Sequence, residues 1–228
     1  MKNVHLGNSD LEKAAKDYFY LLGRNYPEKS LLKLVGDRYK LSARDRTLLY
    51  RGIVHPSQTL NIATRIVSSP PGELIIDGYN VLFTIMNYRL GHLLFLSTDN
   101  LCRDAGALFG KIKDECLFLE CMRIVTDYLL PFSSCNISIY LDSPVSHSAG
   151  HKIALSQLTS GYLVKPVINV VHSADEALLM HSSGTYATSD SAVLKRSGNP
   201  VMDIPRAVIE NRYHAVLPSM SKLLENQL

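Results

Sequence analysis

The fold of this chain is limited most by its second part, where short apolar runs lead one after another into acidic residues. After Pro71, five such runs read as strands, at residues 73–76, 137–141, 167–171, 185–188 and 200–202. Longer helical patterns separate most of them, one from Arg103 or Gly106 to Leu130 and another from Ala174 to His181. Strand alternating with helix predicts a parallel sheet covered on both faces. Each run delivers a carboxylate at or just past its end. These are Asp77, Asp142, Asp175 with Glu176, Asp190 and Asp203. In an open parallel sheet the strand ends share one edge, and ligands bind in the crevice outside it. Carboxylates scattered along the sequence are thereby expected to converge.

Converging carboxylates repel one another unless a cation or a proton intervenes. Oxygen donors without a Cys or His cluster select Mg²⁺ or Mn²⁺ over zinc. Such a site can activate water and stabilise charge on a phosphodiester during in-line displacement. The competing reading of any single aspartate is a helix cap or turn residue, because the residue after a strand often precedes a helix. That reading suits Asp203, before Ile204-Pro205, better than Asp77, which sits in Ile75-Ile76-Asp77-Gly78-Tyr79-Asn80. Gly78 lets the backbone turn sharply there, and Asn80 adds an orienting amide. No glycine-rich nucleotide-binding signature comes after any strand.

The first part has a different character. A breaker cluster, Ser68-Ser69-Pro70-Pro71-Gly72, divides residues 1–69 from residues 70–228. The first part holds twelve Lys and Arg against six Asp and Glu; the second holds twelve against fifteen. A basic module beside an acidic one suits a polyanionic ligand, although +6 on a helical domain is also an ordinary solvated surface. Helices are expected at residues 11–22, from Ser30, from Ser42 and at residues 60–67. The third carries Arg44, Arg46 and Arg51 opposite its apolar face, and the guanidinium fork suits phosphate oxygens. Tyr18, Tyr20, Tyr26, Tyr39 and Tyr50 are interleaved with these cations. They either stack on bases or close the helical core.

Composition excludes several classes. With 46% apolar and 20% charged residues in 228, the chain can bury a core and is not broadly disordered. Its longest apolar runs are a few residues, far short of a bilayer span. The N-terminus reads as a capped helix and not as a signal core. Cys102, Cys116, Cys121 and Cys135 form no C-x-x-C pair and are expected to be reduced. A cytoplasmic protein without a membrane partner is expected, with self-association left open.

Residues Ile76-Asp77-Gly78-Tyr79-Asn80-Val81-Leu82 resemble the opening motif of the PIN-like nucleases, in particular the NYN branch. Leu141-Asp142, Ala174-Asp175-Glu176 and Thr188-Ser189-Asp190 come after it in that branch's order, so the resemblance covers about residues 72–210. It implies a three-layer α/β/α fold around a central parallel sheet and cleavage of single-stranded or structured RNA with Mg²⁺ or Mn²⁺. Asp77, Asp175 and Asp190 would be metal ligands, Asp142 a fourth acidic member, and Glu176 a general base or holder of a metal-bound water. Thr188, Ser189 and Ser191 would orient carboxylates or phosphate, and Asn80 would position Asp77. The whole chain also resembles a prokaryotic family in which a small all-α domain precedes a PIN-like domain.

The long segment 83–136, with Thr98-Asp99 and Arg103-Asp104, departs from the simple NYN pattern. Asp104 could reach the acidic edge, pair with Arg103 or cap the next helix. In the hydroxyl-rich loop after Asp142, Ser143 and Ser146 contact phosphate or sugar, or satisfy their own backbone. His147, His151 and His172 are either surface residues or aids to proton transfer. The reading is a metal-dependent ribonuclease whose basic helical domain aids RNA binding. A non-catalytic RNA- or ribonucleoprotein-binding module is the alternative. A small-molecule phosphohydrolase comes third, since Asp77-Gly78-Tyr79 lacks the second Asp of a D-x-D site.

Overall fold

The computed structural model describes residue 6, residues 9–105 and residues 112–225. The chain divides into two compact units. One comprises Met1–Thr64, His92–Gly106 and Val216–Leu228, the other Arg65–Gly91 and Ala107–Ala215. In chain order the elements are α1 (Ser9–Gly23), α2 (Glu28–Arg38), α3 (Ala43–Gly52), α4 (Pro56–Ala63), β1 (Leu74–Asp77), α5 (Gly78–Arg89), β2 (Leu94–Leu96) and β3 (Cys102–Asp104). Then come α6 (Glu115–Leu129), β4 (Ile137–Asp142), α7 (Ser148–Leu158), β5 (Val167–Val171), α8 (Ala174–Leu179), β6 (Thr185–Ala187), α9 (Ser191–Arg196) and α10 (Ile204–Tyr213). Among the described residues no helix is long and apolar enough to cross a membrane. The four cysteines are unpaired, and Cys102 and Cys121 are buried.

The first unit is built on α1 to α4. Leu11, Ala14, Ala15, Tyr18 and Leu22 recur on one face of α1 and are buried. Leu31 and Val35 of α2 and Leu48 and Leu49 of α3 join them. Ser42 caps α3 by accepting the Asp45 N–H, as its sequence suggests. The second helix starts at Glu28 after Pro27, not at Ser30. The fourth runs from Pro56 to Ala63, earlier than the expected 60–67; the missing N–H of Pro56 costs nothing in a first turn, and His55 caps it.

Two distant segments complete this unit, which is therefore not one continuous stretch of chain. Phe95 of β2 and Met220 lie in the same core as Tyr18 and Leu49. β2 and β3 pair antiparallel. Arg103 donates to both oxygens of Asp99, at 2.9 and 2.8 Å, with both side chains buried. The expected helix starting near Arg103 is thus replaced at its beginning by β3. Residues 106–111 lie outside the described ones, and the helix proper starts at Glu115, capped by Asp114.

The second unit is a mixed α/β structure around a parallel four-stranded sheet of order β5-β4-β1-β6. Residues alternate across the sheet. Leu74, Ile76, Ile139 and Ile168 share one core with α5, α6, α7 and α10. Ile75 and Tyr186 share another with Leu178 of α8 and Val193 of α9. Helices therefore cover both faces. The expected fifth strand is reduced to single bridges from Val201 to Tyr186 and Ile66. Pro200 cannot donate to a longer ladder before Val201, and α10, capped by Asp203, starts at Ile204 just after it.

Candidate functional site

β1 lies inside the sheet, with β4 and then β5 on one side and β6 on the other. Connections leaving a strand in opposite directions open a crevice at its C-terminal end. The last residue of β1 is Asp77. Against the sequence expectation, it too caps a helix, α5, its Oδ1 accepting the Asn80 N–H at 3.1 Å. Its Oδ2 accepts the Thr188 hydroxyl, just past β6, at 3.3 Å. Asn80 reaches the same segment, its Oδ1 accepting the Ser189 N–H at 2.9 Å and the Ser189 hydroxyl at 3.1 Å. The first turn of α5 and residues 188–190 are thereby stitched together.

The other carboxylates come from neighbouring strand ends. Asp142 closes β4, and its Oδ1 accepts the Ala174 N–H at 2.8 Å, joining β4 to the start of α8. Ser173 caps α8, which puts Asp175 and Glu176 in its first turn. Asp190 caps α9 through the N–H groups of Ala192 and Val193, at 2.7 and 3.1 Å. Gly78 makes the close approach at β1 possible. A Cβ there would stand 2.6 Å from a Leu141 methyl and 2.9 Å from the Tyr140 carbonyl oxygen.

The electrostatics come from burial and mutual repulsion. Asp77 is 5% exposed. Burial pushes its carboxyl up to about 8 against the Asn80 N–H, and the charges of Asp175 and Asp142 add to the rise, while the Thr188 hydroxyl opposes it. Burial also lifts Asp175 to about 6, with further contributions from Asp190, Asp142 and Glu176. Four carboxylates from four strand ends, with Glu176, thus feel one another. Among the described residues no three His, Cys, Asp or Glu side chains close into a ready-made cage. Carboxylate oxygens are the donor type that Mg²⁺ takes, one or two of them directly with several waters retained.

Ser143 and Ser146 are exposed in the turn after Asp142, and Ser191 is the exposed first residue of α9. The Ser143 N–H is bound to the Val171 carbonyl oxygen at 2.6 Å. Asp203 caps α10, accepting the Arg206 N–H at 3.0 Å. Asp104 ends β3, belongs to the helical unit and accepts from Arg51 at 3.0 Å. Arg46 is bound to Asp37 at 2.8 Å and to the Leu41 carbonyl oxygen at 3.1 Å. Of the three arginines of α3, Arg44 is exposed and the other two are half-buried.

His151 differs most from its sequence reading. It is not a loop residue but a buried one on α7, 1% exposed. Its Nδ1 lies 2.8 Å from the Tyr79 hydroxyl and its Nε2 2.9 Å from a Glu115 oxygen. Phe83 and Phe118 pack against the Tyr79 ring. The signal was the spacing of His151 and Leu155, one turn apart on the buried face of α7.

Residues 70–207 match the family model described as a domain of unknown function, DUF5616. Residues 10–65 match the model described as a protein of unknown function, DUF434. Uncharacterized protein MJ0935 of Methanocaldococcus jannaschii is 28% identical over 205 residues, spanning 88% of this chain and 97% of its own length. No solved structure matches the chain. The first of these matches spans more than half of the sequence, and the chain belongs to the DUF5616 family.

Proposed function

We propose that the α/β unit is a PIN-like, NYN-type nuclease domain that hydrolyses RNA phosphodiester bonds with Mg²⁺ or Mn²⁺. The observation that carries this reading is a buried Asp77 at a topological switch point, facing the charges of Asp142 and Asp175. A bound divalent cation would relieve that repulsion, polarise the scissile phosphate and acidify a water. Asp77, Asp175 and Asp190 would hold it. Asp142 adds negative charge at the same edge and fixes the start of α8. Glu176, exposed in the first turn of α8, would hold a metal-bound water or act as general base. Thr188 orients Asp77, and Asn80 holds Ser189. The hydroxyls of Ser143, Ser146, Ser189 and Ser191 are available to phosphate or sugar. The helical unit aids RNA binding.

The test is cleavage of total RNA by the wild type and by Asp77→Asn, in Mn²⁺, Mg²⁺ or EDTA, resolved on a denaturing gel. Cleavage by the wild type with either cation, absent in EDTA and in the variant, supports the nuclease. Equal cleavage by both proteins removes it. RNA binding without cleavage, in well-folded protein, moves the reading to a binding module.

A further inference from the structure

The helical unit uses its tyrosines in different ways. Tyr18 is buried in the core. Tyr39 donates its hydroxyl to Asp17 at 2.7 Å. Tyr20 and Tyr26 remain 56% and 50% exposed. Arg24, one turn after Tyr20, donates its Nε to the Tyr20 hydroxyl at 3.0 Å. Its guanidinium carbon lies 5.2 Å from the ring centroid. The chain then reverses at Asn25, which takes φ 62°. The Tyr26 N–H returns to the Leu21 carbonyl oxygen at 3.3 Å, folding Tyr26 back beside the end of α1. On α2, Lys29 and Lys33 stand one turn apart and exposed, while Leu31 and Val35 occupy the buried face. Residues 20–33 thus present two exposed rings and three exposed cations against one acid, Glu28.

We propose that the α1–α2 turn, through Tyr20, Arg24, Tyr26, Lys29 and Lys33, is a binding surface for single-stranded RNA. Exposed rings stack on any unpaired base, and an adjacent guanidinium adds cation–π attraction. Lysines meet the phosphates and release counterions. A duplex hides its base faces, so the rings select single strands. Two of the three α3 arginines, Arg46 and Arg51, already face carboxylates. The choice of RNA rests on the proposed nuclease activity; the surface itself is measured without turnover.

The experiment is fluorescence anisotropy of the full chain in EDTA, with a labelled mixed-sequence oligoribonucleotide and its blunt duplex, over a salt series. The single strand is expected to bind more tightly than the duplex. Tyr20→Ala with Tyr26→Ala is expected to weaken single-strand binding about tenfold or more and leave the salt slope unchanged. Lys29→Gln with Lys33→Gln is expected to flatten the slope of log K against log salt by about 1.4. All four positions are exposed, so circular dichroism and melting of the variants should match the wild type. Wild-type affinity in both double variants, a preference for duplex, or no single-strand binding overturns the surface. Binding through these residues without cleavage in Mn²⁺ leaves the surface standing and removes the nuclease. Cleavage with unaltered binding by both variants does the reverse.

Discussion

The Thr188 hydroxyl donates to the Asp77 carboxylate at 3.3 Å and accepts the Asp190 N–H at 3.2 Å. One side chain just past β6 thus ties the end of β1 to a residue proposed as a metal ligand. Thr188→Val keeps the shape and removes both bonds. It is expected to cost about 1 kcal/mol of stability and to weaken Mn²⁺-supported cleavage about 10- to 100-fold, as orienting partners of metal ligands do. Thr188→Ser should retain most of both. Melting curves and a Mn²⁺ titration of cleavage check this; an unchanged titration in Thr188→Val would remove the orienting role.

Burial lifts Asp77 to about 8 and Asp175 to about 6 in the folded protein. In the unfolded chain both return to the ordinary carboxylate range near 3.8. Between those values the folded state holds protons that the unfolded state has released. The stability that these two groups contribute in EDTA is therefore fully present below the unfolded value and is lost as pH rises from about 4 towards 8. Tm in EDTA should decline across that window, and decline less in Asp77→Asn. Added Mn²⁺ should raise Tm most at the alkaline end, because carboxylate ligands bind it only when deprotonated. A wild-type Tm in EDTA that is flat over the window contradicts this account of Asp77.

The strand ends at the acidic edge were legible because an apolar run stops at a charged residue: Leu74-Ile75-Ile76 then Asp77, and Ile139-Tyr140-Leu141 then Asp142. Caps such as Ser42 likewise announce themselves locally. The features that stayed hidden depend on partners distant in the sequence. β3 is three residues long and carries no period; the Asp99–Arg103 pair and the packing of Phe95 place its hairpin in the helical unit. Arg51 reads as a free cation until Asp104 arrives from 53 positions away. The Tyr79–His151–Glu115 connection, buried at Tyr79 and His151, joins three helices, and no local pattern encodes it.

Gly78→Ala tests the start of α5. The added Cβ would meet a Leu141 methyl at 2.6 Å, which can move, and the Tyr140 carbonyl oxygen at 2.9 Å, which belongs to β4 and cannot move freely. Overpacking of this kind costs about 1–3 kcal/mol. Relieving it by shifting α5 would displace Asn80, and with it the hydrogen bonds to Ser189. Tm and cleavage should fall together. Gly150→Ala, where an added Cβ meets nothing within 4 Å, is the control: it lies in α7, so its Tm should hold or rise slightly, and cleavage should not change. A Gly78→Ala protein as stable as the wild type would mean that β4 yields easily at Tyr140.

The buried pair in the helical unit gives a test that is independent of any activity. Asp99 is 0% and Arg103 4% exposed, and two hydrogen bonds join them. Asp99 also receives the Leu101 N–H at 3.2 Å, so removing Arg103 leaves a buried charge with part of its partners gone. Arg103→Met is expected to cost about 3–5 kcal/mol, most of it the burial of an unpaired carboxylate. Asp99→Leu combined with Arg103→Met removes that charge and should recover much of the loss, because an apolar pair of similar volume often replaces a buried ion pair at little cost. Urea unfolding of the two single variants and the double variant measures the interaction directly. A double variant as unstable as Arg103→Met would show that the hairpin depends on the hydrogen bonds themselves, and not on avoiding a stranded charge.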